Sequence, residues 1–363
     1  MSNITIGITC GDINGIGLEV VLKALAIKKA GPNFKTIIYG SSKVVAYHKN
    51  IISEENVQFY VVNSPAEAQA GRINIVNCWG DNVNITLGKP NETGGKCAAD
   101  ALAAAVRDLK KGELDAIVTA PVNKKAMQMA GFAHIGHTEY LSAEFKGRDA
   151  LMLMVSDSLR VGLVTNHLAI KDVAAAVTQE KVLRKILIMA ETLKVDFNIN
   201  KPTVAVLGLN PHAGDEGAIG QEDEKIIRAA VEEAKSKGVL VFGPFPADGF
   251  FGSGQYNKFD GILAMYHDQG LVPFKALSFG AGVNYTAGLQ IVRTSPDHGT
   301  AYDIAGKGEA DEISFIKALY LAAEIVRNRN EYLDMHANSL ERRKHKPLIS
   351  ETGDDEEVIM PEE

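Results

Sequence analysis

Three of the nine histidines directly follow apolar, β-branched runs: Thr165-Asn166-His167, Leu209-Asn210-Pro211-His212 and Tyr266-His267-Asp268. In an open α/β sheet the carboxyl ends of the strands face the ligand crevice. Neutral imidazole is a common ligand of divalent cations, and three such ligands leave a position open for substrate. His167, His212 and His267 could therefore meet round one metal ion. The alternative is that each ring closes its own strand by bonding a backbone carbonyl. Their wide spacing along the chain does not decide between the two.

A second group of residues points to an anion. In His134-Ile135-Gly136-His137-Thr138-Glu139-Tyr140, Gly136 lets the backbone approach a ligand closely, and Thr138 with Glu139 reads as a helix start. Free N–H groups at such a start favour a phosphate, which His137 and Thr138 could hold; an ordinary cap beside a surface histidine is the alternative. Lys275, Asn284 and Arg293 are expected in loops after the Tyr266-His267-Asp268-Gln269-Gly270 turn. Arginine offers a planar, two-point grip on carboxylate or phosphate, and lysine a compact charge that also serves in acid–base work. Each alone could equally be a solvated charge. Asp248, in Pro246-Ala247-Asp248-Gly249, could add an oxygen ligand or orient a water, or simply mark a turn.

Gly11-Asp12-Ile13-Asn14-Gly15-Ile16-Gly17 has the order GxxxGxG, not the GxGxxG of a dinucleotide fingerprint. It reads as a tight strand-to-helix turn near the cleft, where Asp12 can reach the site. No GxxxxGK[ST] loop and no GxSxG elbow is present, so neither an ATPase nor a serine hydrolase signature exists.

The elements that must position these groups alternate. Strands are expected at Ile4 to Thr9, Thr36 to Tyr39, Asp115 to Ala120, Thr203 to Leu209, Gly261 to Tyr266 and Leu289 to Val292, with a strand pair, Leu151 to Val155 and Arg160 to Thr165, across Ser156-Asp157-Ser158. Helices are expected from Leu18 to Lys29, Ala98 to Lys110, Lys181 to Leu193, Glu222 to Lys237 and Ile313 to Asn328. This order implies an α/β fold with a mainly parallel, doubly wound sheet covered on both faces. Glycine and proline near 243–254 and 280–288 suggest loops over a cleft. The last segment, basic and then acidic, has little to bury and is expected to be a mobile charged tail.

A length of 363 residues favours two lobes over one core. The net charge of -7 provides no broad basic field for nucleic acid, though a small phosphorylated substrate needs only a local cluster of donors. Cys10, Cys78 and Cys97 are scattered, fit no thiolate metal spacing, and suit a reducing compartment. The opening MSNITIGITCGD has no basic flank, and no apolar run nears the ~20 residues of a membrane span. A cytoplasmic location without membrane partners is therefore expected.

The blocks Gly136-His137-Thr138-Glu139-Tyr140, Leu209-Asn210-Pro211-His212-Ala213-Gly214, Tyr266-His267-Asp268-Gln269-Gly270 and Arg293-Thr294-Ser295-Pro296-Asp297-His298-Gly299-Thr300-Ala301 resemble the signature blocks of the 4-hydroxythreonine-4-phosphate dehydrogenase family. The likeness runs in order from about residue 4 to 330. It implies the isocitrate/isopropylmalate dehydrogenase-like fold: two α/β/α lobes with a cleft between them, in a homodimer that shares its active sites. Residues 1–125 plus 290–336 would form the first lobe, 126–289 a second lobe with the metal ligands and dimer contacts, and 337–363 the tail.

The resemblance makes His167, His212 and His267 ligands of zinc, magnesium or cobalt, completed across the dimer. His137, Thr138, Lys275, Asn284 and Arg293 match substrate-binding positions. The stretch from His298 to Gly306, with His298, Gly299, Thr300 and Asp303, resembles the adenosine-side loop for NAD or NADP. The implied reaction oxidises 4-phosphooxy-L-threonine to 2-amino-3-oxo-4-phosphooxybutanoate, which loses CO2 to give 3-amino-2-oxopropyl phosphate, a precursor of pyridoxal phosphate. Lys275, or a water held by Asp248, would take the proton. The alternatives are a four-carbon acid phosphate substrate, D-threonate or D-erythronate 4-phosphate, and a non-dehydrogenase protein on a related fold. The chain departs from the family pattern at Ile13-Asn14 and Leu18, where Pro-Ala and Pro are usual, and at Asn166 and Ala169 beside His167, where Thr and Pro are common.

Overall fold

A computed structural model describes residues 4–27, 34–52, 57–80, 82–145 and 149–337. The tail, apart from Ala337, lies outside the described residues, as do the last two positions of the expected first helix. Among the described residues twelve strands form one sheet: β1 (Ile4–Thr9), β2 (Phe34–Gly40), β3 (Phe59–Val62), β4 (Ile73–Asn77), β5 (Ala116–Thr119), β6 (Leu151–Val155), β7 (Arg160–Leu163), β8 (Thr203–Leu207), β9 (Leu240–Phe245), β10 (Gly261–Ala264), β11 (Val283–Ala287) and β12 (Val292–Pro296).

Their order is β3-β4-β2-β1-β5-β12-β11-β6-β7-β10-β8-β9. The pairings from β3 through to β12 are parallel. Three successive antiparallel pairings, β12–β11, β11–β6 and β6–β7, then reverse the direction. The pairings β7–β10, β10–β8 and β8–β9 are parallel again. The mainly parallel α/β sheet expected from the sequence is thus observed, including the β6–β7 pair, in which Val155 faces Arg160. All four residues of β5 and of β10 are buried, as strands covered on both faces require. The parallel trio β7, β10 and β8 sends its carboxyl ends, and the histidines that follow them, to one side of the sheet.

Helix Glu92–Lys110 begins six residues before the expected Ala98. Gly94 and Gly95 weaken the helical signal there. The structure needs both: a Cβ on Gly95 would stand 2.0 Å from the Ala126 carbonyl oxygen, and one on Gly94 would stand 2.5 Å from Asp12 Oδ1. Asn91 caps the helix by accepting from Gly94 N at 2.8 Å.

Three expectations are corrected. The segment 280–288 is not a loop, because Val283, Tyr285 and Ala287 are buried in β11 near the middle of the sheet. Its flanking turns at Gly280 and Gly288, with φ of 79° and 84°, supply the glycine that masked it. Likewise 247–252 forms a short helix. The strand expected over Leu289 to Val292 begins at Val292 and runs to Pro296. In consequence Lys275 lies on helix His267–Ser278, and Asn284 and Arg293 on strands, rather than in loops.

Candidate active site

Arg293 is the centre from which the site is built. Strand β12 carries its side chain into the interior, where the residue is 6% exposed. Its Nε and Nη2 donate to Thr119 Oγ1 at 3.1 and 2.6 Å, and Nη1 donates to Thr286 Oγ1 at 3.2 Å. Nη2 also lies 3.3 Å from His137 Nδ1. Among the described residues no carboxylate is within ion-pair distance of this guanidinium. Burial lowers its pKa to about 10, with Glu139 opposing the shift, so it remains charged at neutral pH. A buried cation held only by neutral groups is costly unless an anion compensates it.

That anion has a place. A cavity of about 250 Å³ is lined by Arg293, His137, Thr138, Asn284, His167 and His298, all singled out from the sequence. Thr119, Lys124 and Ser295 also line it. Helix His137–Glu144 starts at this wall from Gly136, which makes no side-chain cap bond, so its first amides are left for a ligand. His137 is lowered to about 3, first by burial and then by Arg293 and Lys124, and is therefore neutral at pH 7. Because Nδ1 faces an arginine that can only donate, the ring proton belongs on Nε2. Nε2 is buried without a partner among the described residues, so it is a donor waiting for an acceptor.

His167 joins this cavity to a second, of about 260 Å³, which it lines with His267. The two rings lie 6.0 Å apart, centroid to centroid, tilted by 40°. Two imidazoles bound to one ion through nitrogens at about 2.1 Å place their centroids at a similar separation. His267 Nδ1 lies 2.7 Å from Asp268 Oδ1, a bond that holds the proton on Nδ1 and frees Nε2 to ligate. Burial, then Lys124 and His267, lowers the pKa of His167, which favours the neutral, ligating form. The donor set of this pair fits a divalent cation.

His212 does not join them within the chain. It sits exposed on the Pro211–Gly217 turn, in a run of left-handed residues that includes Ala213 at φ 51°. No group of three His, Cys, Asp or Glu residues able to hold a metal occurs among the described residues of the single chain. Lys275 instead reaches Asp297, at 3.4 Å, and Asp248 is exposed; neither lines the cavity.

On the far side, His298 Nδ1 lies 3.2 Å from the Gly299 carbonyl oxygen, and its buried Nε2 has no partner among the described residues. A donor on a ligand such as a nicotinamide nucleotide would satisfy that nitrogen. Thr300 is buried, whereas Gly299 and Asp303 are exposed. Sequence reasoning overlooked Lys124, yet it follows β5 in Thr119-Ala120-Pro121-Val122-Asn123-Lys124. The strand-end logic applied to histidines would have found it. Its stem crosses Gly136, where an added Cβ would stand 3.4 Å from Lys124 Cε.

The comparisons with known proteins agree with this geometry. A 4-hydroxythreonine-4-phosphate dehydrogenase of Bacteroides thetaiotaomicron is 48% identical over 343 residues, 94% of either chain. A candidate D-threonate 4-phosphate dehydrogenase of Oceanobacillus iheyensis is 37% identical over 325 residues, 88% of this chain and 97% of its own. The solved 4-hydroxythreonine-4-phosphate dehydrogenase of Klebsiella pneumoniae superposes with a TM-score of 0.79 at 33% identity, over 90% of this chain and 98% of that one. The family described as pyridoxal phosphate biosynthetic protein PdxA matches residues 33–322, and this chain belongs to it.

Proposed function

We propose that the chain oxidises 4-phosphooxy-L-threonine with NAD(P), giving 2-amino-3-oxo-4-phosphooxybutanoate, which decarboxylates to 3-amino-2-oxopropyl phosphate. The observation that carries this reading is the joining of two unlike sites through His167: a buried, carboxylate-free Arg293 beside a neutral His137 donor, and the His167–His267 pair. Arg293, His137, Thr138 and Asn284 bind and orient the phosphorylated acid, which fixes its hydroxyl towards the histidines. His167 and His267 would hold the divalent cation, which when bound would lower the hydroxyl pKa, and bound NAD(P) would take the hydride. His298, Gly299, Thr300 and Asp303 are the residues that would hold the nucleotide.

His212 supports a homodimer, because a second copy of the chain could bring it to the His167–His267 pair. Lys275 and Asp248 would then serve the neighbouring subunit, as proton acceptor and as holder of a water. The sheet supports the division into lobes at 125/126 and 289/290, since β1 to β5 and β12 lie on one side and β6 to β11 on the other. No helix among the described residues is long and apolar enough to cross a membrane, and a cytoplasmic location is proposed.

The 37% identity to the candidate D-threonate 4-phosphate enzyme favours one second reading, the same oxidation of a hydroxy acid lacking the amine. Nicotinamide reduction measured with each phosphorylated acid in turn separates them. Preference for 4-phosphooxy-L-threonine is expected; preference for D-threonate 4-phosphate replaces the first reading with the second; reduction by neither overturns both.

A further inference from the structure

A bond outside the substrate and metal groups joins the turn after β1 to the loop after β12. Tyr302 Oη donates to Asp12 Oδ2 at 2.6 Å, and Asp12 is 1% exposed. The other carboxylate oxygen accepts from Asn14 N at 2.9 Å, closing the turn. Asp12 N donates to the Pro121 carbonyl oxygen at 2.9 Å, and Pro121 lines the substrate cavity. A second tie runs alongside, from Ile16 N to the Thr300 carbonyl oxygen at 3.0 Å.

The surroundings keep room for these ties. A Cβ on Gly15 would stand 2.8 Å from the Thr300 oxygen, and one on Gly94 would stand 2.5 Å from Asp12 Oδ1. Between the two anchored residues, Ala301 has a φ of 37°. L-residues disfavour that conformation, and it persists only where neighbours fix it. Thr300 on one side and Tyr302 on the other do so. Asn14 extends the network by donating to Asn91 Oδ1 at 2.9 Å and accepting from Thr86 N at 2.7 Å.

We propose that Asp12 and Tyr302 are positioning residues that latch the 298–306 loop onto the Gly11–Gly17 turn in the shape that receives NAD(P). The inference rests on the reading of His298 to Asp303 as cofactor-binding. The latch acts on cofactor affinity and leaves the phosphate grip alone, because its atoms touch the loop and not Arg293 or His137.

Tyr302→Phe in the full-length protein keeps the ring and removes the donor. Amide hydrogen exchange over 298–306 in the ligand-free protein and the Michaelis constant for NAD(P) should each rise about three- to tenfold, the range set by one net hydrogen bond. Turnover at saturating cofactor and the constant for the phosphorylated acid should change by less than about twofold on the same scale. Asp12→Asn leaves one oxygen for two donors, Tyr302 Oη and Asn14 N, and should raise both readouts less than Asp12→Ala, which should equal or exceed Tyr302→Phe. Unchanged exchange in Tyr302→Phe overturns the latch itself. Raised exchange with an unchanged NAD(P) constant leaves the latch but overturns the cofactor role of the loop. Turnover lost with both constants unchanged marks a merely structural bond and overturns the positioning role.

Discussion

Arg293 and His137 meet at the wall of one cavity, with Nη2 of one 3.3 Å from Nδ1 of the other. The guanidinium can only donate, so the contact fixes the imidazole tautomer and turns Nε2 into a donor for the cavity. Neither residue alone specifies that arrangement. Strand β12 supplies the arginine, and the start of helix His137–Glu144 supplies the ring.

Replacing Arg293 with lysine keeps a charge but loses the forked contacts to Thr119, Thr286 and His137. Charge-assisted bonds of this kind are worth about 1.5–3 kcal/mol, so the Michaelis constant for the phosphorylated acid should rise roughly tenfold to a hundredfold. Steady-state kinetics at saturating NAD(P) measure this. An unchanged constant would remove Arg293 from the binding site.

His137 gives stability a pH dependence with a definite sign. Its folded-state pKa is about 3, below the ordinary 6.5. The unfolded chain gains a proton at this ring as pH falls through 6.5, and the folded chain does not until about 3. The contribution is complete above the upper value and is lost towards the lower one, at about 1.4 kcal/mol per pH unit. His137→Asn should show that much shallower a slope in urea unfolding across this window. His48, whose pKa burial also lowers, titrates in both proteins and cancels. Equal slopes would mean that the ring is not held neutral.

Asp268 should tune the cation site without touching the ion. Its bond to His267 Nδ1, at 2.7 Å, orients the ring and sets the tautomer. Loss of such a partner usually lowers metal affinity about 10- to 100-fold. Titration of chelator-treated Asp268→Ala with zinc should show that loss, and His267→Ala a larger one. Zinc affinity unaltered in both would show that these rings do not share an ion.

Lys124 lines the cavity as an exposed cation, close enough to lower the pKa of both His137 and His167. Lys124→Met should raise the Michaelis constant for the phosphorylated acid about tenfold at low salt, with the gap narrowing as ionic strength screens the charge. A salt-independent difference would point to packing instead.

Much of this was legible in the residues, and the misses have physical causes. The histidines after β7, β8 and β10 were found because apolar runs ending in polar, ligating side chains mark strand ends. Arg293 was expected in a loop because Arg-Thr-Ser-Pro reads as polar, although the tertiary fold buries every residue of that strand. Strand β11 was hidden by its bounding glycines, and the start of helix Glu92–Lys110 by Gly94 and Gly95, which the close Asp12 and Asn14 side chains and the Ala126 backbone demand. Short-range pattern carries no information about such neighbours. Nor does it show that His167 and His267 converge while His212 stands apart in the single chain.

The most direct test is the metal dependence of oxidation. Full-length protein stripped by a chelator is mixed with 4-phosphooxy-L-threonine and NAD(P), and nicotinamide reduction is followed before and after zinc, magnesium or cobalt is added back. The account predicts no reduction in the stripped protein and recovery, with CO2 release, on addition of a divalent cation. Reduction that proceeds equally without the cation, or none under any of these conditions, would contradict it.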